Sequence, residues 1–260
     1  MNTGIVIYGT DPDQAALALT MAENLFVRFG KRVSRAGVLK FVFRGDENFV
    51  DDREVLPVDL MERISTGEIT AFQVYGSDSA ISFGYNVPEY GGLSFIDAQI
   101  EGSVYKMDEE VGRFLWDVAR YLNFKYAIAY DAENLSAAYK YSTGVNLVRI
   151  FPFENTSLFT RELPGRSPGS VSYEGAKLRM VYPLNVLNES HLEICLNDLS
   201  LREWIGADSS RGSLKSLPNN MWLWSVKETD LLEVNSACGE ARILLAWQKS
   251  PGNRPVRQLP

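Results

Sequence analysis

Residues 80–87 read Ala80-Ile81-Ser82-Phe83-Gly84-Tyr85-Asn86-Val87. Ile81, Phe83, Tyr85 and Val87 alternate with Ser82, Gly84 and Asn86, the period-two pattern of a strand with one apolar face and one wet face. Strand-like segments flank it at Ile69–Tyr75 and Leu93–Ile100, across Gly76-Ser77-Asp78-Ser79 and Pro88-Glu89-Tyr90-Gly91-Gly92. Joints this short and rich in turn residues connect antiparallel neighbours. A meander is therefore expected, within an α+β fold of mixed or antiparallel sheets with helices on one face.

Upstream, Gly4–Tyr8 has the pattern of a short buried strand. Asp11-Pro12-Asp13 then supplies an N-cap, a proline at the first helical position and an acidic first turn. Ala15, Ala18, Leu19, Ala22, Leu25, Phe26 and Phe29 follow at three- and four-residue steps, so a helix should run to Gly30, a favourable residue just past a helix end. Val38–Phe43 reads as a strand, and Pro57–Ile64 as a short helix stopped near Gly67. Downstream, Asp108-Glu109-Glu110 opens a helix whose Val111, Phe114, Leu115, Val118 and Leu122 face inward, the acids complementing the helix dipole. Phe124–Tyr130 and, more weakly, Val145–Phe151 have strand character.

Between residues 153 and 175 prolines, glycines and serines accumulate without a period, which marks a linker. Residues 1–152 then form one elaborated α+β domain and 176–248 a smaller one. The smaller domain reads as strand Leu178–Tyr182, helix Ser190–Ile205, strand Ser213–Leu217, turn Pro218-Asn219-Asn220, strand Met221–Val226, helix Asp230–Cys238 and strand Ala241–Trp247. That β-α-β-β-α-β order is ferredoxin-like, and the first half is an elaborated version of it. Residues 249–260 read as a disordered tail.

The chain has 260 residues, 45% of them hydrophobic, enough for a substantial core. Its first apolar run is too short and lacks the basic flank of a signal peptide, and no run approaches the ~20 apolar residues of a membrane span. A soluble, cytoplasmic protein is expected. Cys195 and Cys238, without paired spacing, fit reduced thiols rather than a disulfide framework.

The formal charge of −7 is unevenly placed, because residues 44–110 hold fifteen acidic and four basic side chains while the other segments nearly balance. Asp46, Glu47, Asp51, Asp52 and Glu54, with Asp59 and Glu62 beyond, form the densest run. One reading is a solvated loop that aids solubility. The other is a docking face for a basic partner, with Phe49, Val50, Val55 and Leu56 as apolar anchors. A nucleic-acid backbone requires a basic stripe that this chain lacks.

Catalytic and cofactor patterns are weak. One histidine and two scattered cysteines offer too few soft ligands for zinc. His191 and Cys195 are four residues apart and would share a helix face, but no distant orienting group accompanies them. Gly165-Arg166-Ser167-Pro168-Gly169 matches the letters of a nucleophile elbow without the strand and helix that elbow needs. Counted from Asp46, a calcium loop would place Asp51 and Pro57 where glycine and glutamate belong. Neither Gly-rich phosphate-binding motif occurs. No cofactor or metal is expected.

Val181-Tyr182-Pro183-Leu184-Asn185-Val186-Leu187-Asn188-Glu189-Ser190-His191-Leu192, Leu201-Arg202-Glu203-Trp204-Ile205, Arg211-Gly212-Ser213-Leu214 and Trp222-Leu223-Trp224-Ser225-Val226 together resemble immunity proteins of bacterial polymorphic-toxin and type VI secretion systems. The matched segments cover under a third of the chain. The resemblance implies a non-enzymatic cytoplasmic protein that binds a cognate secreted toxin and covers its active site or substrate cleft. Many such toxins are nucleases with basic clefts, which suits an acidic inhibitor. The alternative expectation is a small-molecule enzyme or ligand-sensing module with an interdomain cleft.

Overall fold

The computed structural model describes residues 1–44, 47–90, 92–145, 148–164 and 169–249, with backbone alone for 40–44 and 47–52. The N-terminal elements are β1 (Asn2–Tyr8), α1 (Ala15–Arg28), β2 (Val33–Arg44), β3 (Glu47–Val55), α2 (Pro57–Ser65), β4 (Phe72–Gly76), β5 (Ile81–Asn86), β6 (Phe95–Glu101), α3 (Asp108–Tyr121) and β7 (Tyr126–Ala132). After them come α4 (Leu135–Ser142), α5 (Thr156–Thr160), β8 (Leu184–Asn188), α6 (Glu189–Leu192), β9 (Cys195–Leu196), β10 (Leu199–Ser200), α7 (Leu201–Gly206), β11 (Ser213–Ser216), β12 (Met221–Ser225) and α8 (Leu231–Glu240). The fold is α+β. One ten-stranded antiparallel sheet has the order β11-β12-β8-β7-β1-β6-β5-β4-β2-β3, and β9 and β10 form a separate hairpin.

Four central strands, β7-β1-β6-β5, joined through α1 and α3, have the spatial order of a ferredoxin-like split motif. The elaboration is an insertion of β2, β3, α2 and β4 between α1 and β5, which extends that edge of the sheet. The meander runs as its turn residues require, with Gln73 opposite Gly84 and Gly84 opposite Asp97. Strand alternation divides the apolar residues into two cores. Ile5 and Ile7 of β1 join α1, α2 and α3 on one face, whereas Val6 and Tyr8 join a second core on the other.

Helices thus lie on both faces, not one. Because α4 supplies Ala138 and Tyr141 to the second core and α8 supplies Leu231, Val234 and Cys238, a sheet with apolar residues on both sides is covered on both sides. The stretch expected to be a linker is part of that cover: Phe153, Phe159, Leu163 and Tyr173 are buried in it. Nor do the halves form two sheets, since β7 pairs with β8 at Ala127–Val186, Ile128–Asn185 and Ala129–Leu184.

The C-terminal half departs from a second split motif. Leu178–Tyr182 is not a strand but makes a single parallel bridge to Leu244, and the strand lies at β8 instead. The expected helix over Ser190–Ile205 is broken by the β9–β10 hairpin, where Asn197 and Asp198 adopt positive φ. Residues 146 and 147 of the expected strand Val145–Phe151 lie outside the described residues, and 148–151 form no strand; Ala241–Trp247 makes only isolated bridges through Leu244 and Trp247. The tail beyond Lys249 lies outside the described residues.

α1 begins at Ala15 rather than beside Asp11. The Tyr85 hydroxyl donates to the Asp11 carbonyl and accepts from the Gln14 amide, so the intervening residues are held as a turn. The acidic run also departs from a loop. It forms β3, antiparallel to β2 from Ala36–Val55 to Arg44–Glu47, with only residues 45 and 46 between the strands.

The second core encloses an ion pair. Arg179 and Glu154 are both buried, with Nε 3.8 Å from Oε1. The guanidinium lies between the rings of Tyr141 and Phe159, 3.6 and 4.3 Å from their centroids, and its Nη1 donates to the Tyr8 hydroxyl and the Tyr141 carbonyl. Glu154 accepts from the Tyr141 hydroxyl at 2.6 Å and from the Ile150 amide at 3.1 Å. Burial raises its carboxyl above the ordinary range, and the Arg179 charge pulls the other way. Arg179→Met strands this carboxyl in the core and should cost about 3–5 kcal/mol. The double variant Arg179→Met/Glu154→Gln should recover part of that loss. Urea unfolding measures both, and a neutral single substitution would show that the pair carries no weight.

Candidate functional site

Of the acidic residues expected to form one face, Asp46 lies outside the described residues. Glu47, Asp51 and Asp52 are on β3, whose ladder sets them opposite Arg44, Lys40 and Leu39. Glu54, Asp59 and Glu62 are exposed. α2 starts at Pro57 and buries only Leu60 and Ile64, one turn apart. Its other side carries large apolar groups in water: Leu56 is 66% exposed, Val58 81% and Met61 39%. Leu56 is also the helix N-cap and makes no side-chain cap bond, although a serine or aspartate there would satisfy an orphan amide. Arg63 is engaged by Glu68 through two hydrogen bonds, at 3.1 and 2.7 Å. Leu56 was legible among the anchors, but Val58 and Met61 were not, because helix periodicity alone does not reveal which side of α2 the sheet covers.

A second feature occupies the wet face read from residues 80–87. Among the described residues, no buried apolar residue of β2, β4 or β5 belongs to the second core, and a cleft of about 420 Å³ opens there between the sheet and α4. Its floor includes Gln73, Ser82, Asn86 and Gln99. Beneath them the fully buried Asp97 accepts from Gln99 Nε2 at 2.9 Å, Asn86 Nδ2 at 3.0 Å and Gln73 Nε2 at 3.3 Å. Burial raises the carboxyl above its usual range, and the three amide bonds oppose that rise. Gln73 and Asp97 stand on either side of Gly84 in one row of the sheet. Gln73 can cross that row only because Gly84 has no side chain, since a Cβ there would lie 1.9 Å from Gln73 Oε1. Nothing in the local spacing of Asp97 singles it out, because its partners come from three strands.

Of the residues weighed for catalysis, His191 has a structural role. α6 ends at Leu192, so Cys195 is exposed at the start of β9 and does not share a helix with His191. The imidazole is buried, with Nδ1 3.3 Å from the Asn188 amide it accepts from and Nε2 2.8 Å from the Tyr173 carbonyl. Residues 165–168 of the serine motif lie outside the described residues. A cleft of about 520 Å³ does lie where the first-half helices meet the C-terminal strands, lined by Asp108, Glu109 and Asp117 but equally by Arg28, Arg113 and Lys215. Its acids are paired in part, Asp117 with Arg28 at 2.7 Å and Glu109 with Arg113. Among the described residues no group of three or more His, Cys, Asp or Glu is placed to hold a metal ion, and no helix is long and apolar enough to cross a membrane.

Gly84→Ala tests the buried network. In an ordinary strand it would be favourable by roughly 0.5–1 kcal/mol. Here it should destabilise by about 1–3 kcal/mol, because Gln73 must withdraw from the carboxyl; unfolding that is unchanged or stabilised would contradict the packing. His191 supplies a pH test. Burial lowers its imidazole to about 4, so as pH falls below the free value of about 6.5 the unfolded chain takes the proton first. The stability from neutral His191 is complete above that pH and is lost between about 6.5 and 4. Relative to His191→Gln, the wild type should weaken over this window by up to about 3 kcal/mol. Parallel stability–pH curves for the two proteins would show that the ring is not held neutral.

Comparison with protein-family models, with curated proteins and with solved structures returned no match.

Proposed function

We propose that this chain is a non-enzymatic immunity-type protein of the cytoplasm, which neutralises a basic secreted toxin, by charge a nuclease, by docking the exposed side of α2 over its active site or substrate cleft. The observation that carries this reading is the joint exposure of Leu56, Val58 and Met61 beside Glu54, Asp59 and Glu62. Apolar anchors flanked by a local excess of acids have the composition of a protein interface: the acids steer a basic partner, and burial of the anchors holds it. An uncapped leucine at a helix start sacrifices local stability, a departure from local optimum expected at functional positions.

The test begins with a basic secreted toxin from the native host that this chain protects against on co-expression. Glu54→Lys/Asp59→Lys/Glu62→Lys should slow association by about tenfold or more and flatten its salt dependence. Val58→Asp/Met61→Asp should act mainly on dissociation and abolish rescue, with thermal melting preserved. Full rescue by both variants would place the contact elsewhere. Failure of the wild type to protect against any basic secreted toxin of that host would remove the immunity reading itself. A ligand-binding module is the second reading, favoured by the cleft above Asp97.

A further inference from the structure

The cleft floor has a polarity imposed from below. An ionised carboxylate can only accept hydrogen bonds, so each amide that bonds Asp97 must turn its NH2 group toward it and its carbonyl away. The Gln99 oxygen takes the Ser82 hydroxyl. Gln73 Oε1, lying over Gly84, and Asn86 Oδ1 are left as acceptors at the floor. Among the described residues no lysine or arginine forms an ion pair with Asp97. Three amide N–H groups aimed at one carboxyl favour its ionised form against the cost of burial.

The rim has the opposite character. Arg35 is exposed, its guanidinium 5.3 Å from the centroid of the Tyr75 ring and its Nη2 3.4 Å from Ser79 Oγ. Leu39, Leu135 and Tyr139 add apolar groups to the wall of the same cleft. The site therefore offers acceptors above a carboxyl at its base, a cation at its rim and apolar groups along its wall.

We propose that this cleft binds a small zwitterion of the free amino-acid type, with its ammonium on Gln73 Oε1 and Asn86 Oδ1 above Asp97, its carboxylate at Arg35 and its side chain against Leu39, Leu135 and Tyr139. Among the described residues, each charged end meets its complement without displacing an existing ion pair. The site is on the face of the sheet opposite α2, so it stands or falls independently of toxin docking.

The experiment screens the common L-amino acids singly against the full chain by saturation-transfer NMR. The strongest binder is then compared, by calorimetry, with its N-acetyl and carboxamide derivatives. Capping either end should weaken binding by about tenfold or more, the loss of one charge-assisted hydrogen bond. Arg35→Gln should abolish the preference for the acid over the carboxamide, and Asp97→Asn the preference for the free amine over the N-acetyl form. Arg35 is exposed, so its variant tests the proposal even if Asp97→Asn does not fold. Absence of saturable binding by every amino acid, or binding that both variants leave unchanged, would overturn it.

Discussion

Arg179 is the constraint on which the second layer depends. A guanidinium fully removed from water is tolerable only where partners surround it, and those partners come from distant parts of the chain: Tyr8 from β1, Tyr141 from α4, Glu154 and Phe159 from the excursion that follows. Removing Glu154 would leave that charge without its counter-charge, a loss of several kcal/mol. The cluster therefore specifies how residues 148–164 and 169–182 lie on the sheet more sharply than their mixed composition could. Six tyrosines, Tyr8, Tyr126, Tyr130, Tyr141, Tyr173 and Tyr182, fill the surrounding volume with rings that are apolar in body and polar at one tip.

Where that layer stops decides the character of the opposite surface. The C-terminal half covers β1, β7, β8 and β12, and α4 closes over β6, but β2, β4 and β5 keep polar residues on this side. Asp97 sits at the boundary, under the last of the cover and beside the open part. A carboxyl is sustained there because Gln73, Asn86 and Gln99 replace water as its hydrogen-bond donors. The same exchange of water for fixed amides makes the cleft floor directional.

The two candidate surfaces are built differently. The cleft is made of strand residues whose positions the ladder fixes, a rigid arrangement suited to a small ligand. The α2 surface follows an edge strand. Charges on β3 also serve an edge by discouraging pairing with another chain, so acidity along β3 has a structural role whatever docks on α2. That explanation does not extend to Leu56, Val58 and Met61, which are apolar and belong to α2 and its cap, not to the edge strand. These exposed anchors, rather than the carboxylates, distinguish a docking surface from a solubilising one.

Local pattern alone determined the strand at Gly4–Tyr8, the helix ending before Gly30, the meander with its wet face, the α3 stripe and the α+β class, because each is written in periodicities of two or 3.6 and in turn residues adjacent in sequence. Even the Asn219-Asn220 turn and β12 were legible on that basis. Tertiary structure alone decided that Leu178–Tyr182 would run outside the sheet, that α4 and Phe153, Phe159, Leu163 and Tyr173 would pack as core, and that Glu47–Val55 would pair as β3. Those outcomes turn on which surfaces are already covered and on partners up to 171 positions apart, as for Arg179 and Tyr8. Asp97 and Gln73 are the sharpest case. Neither has a local signature, and only the lateral row that places Gly84 between them brings amide and carboxyl together.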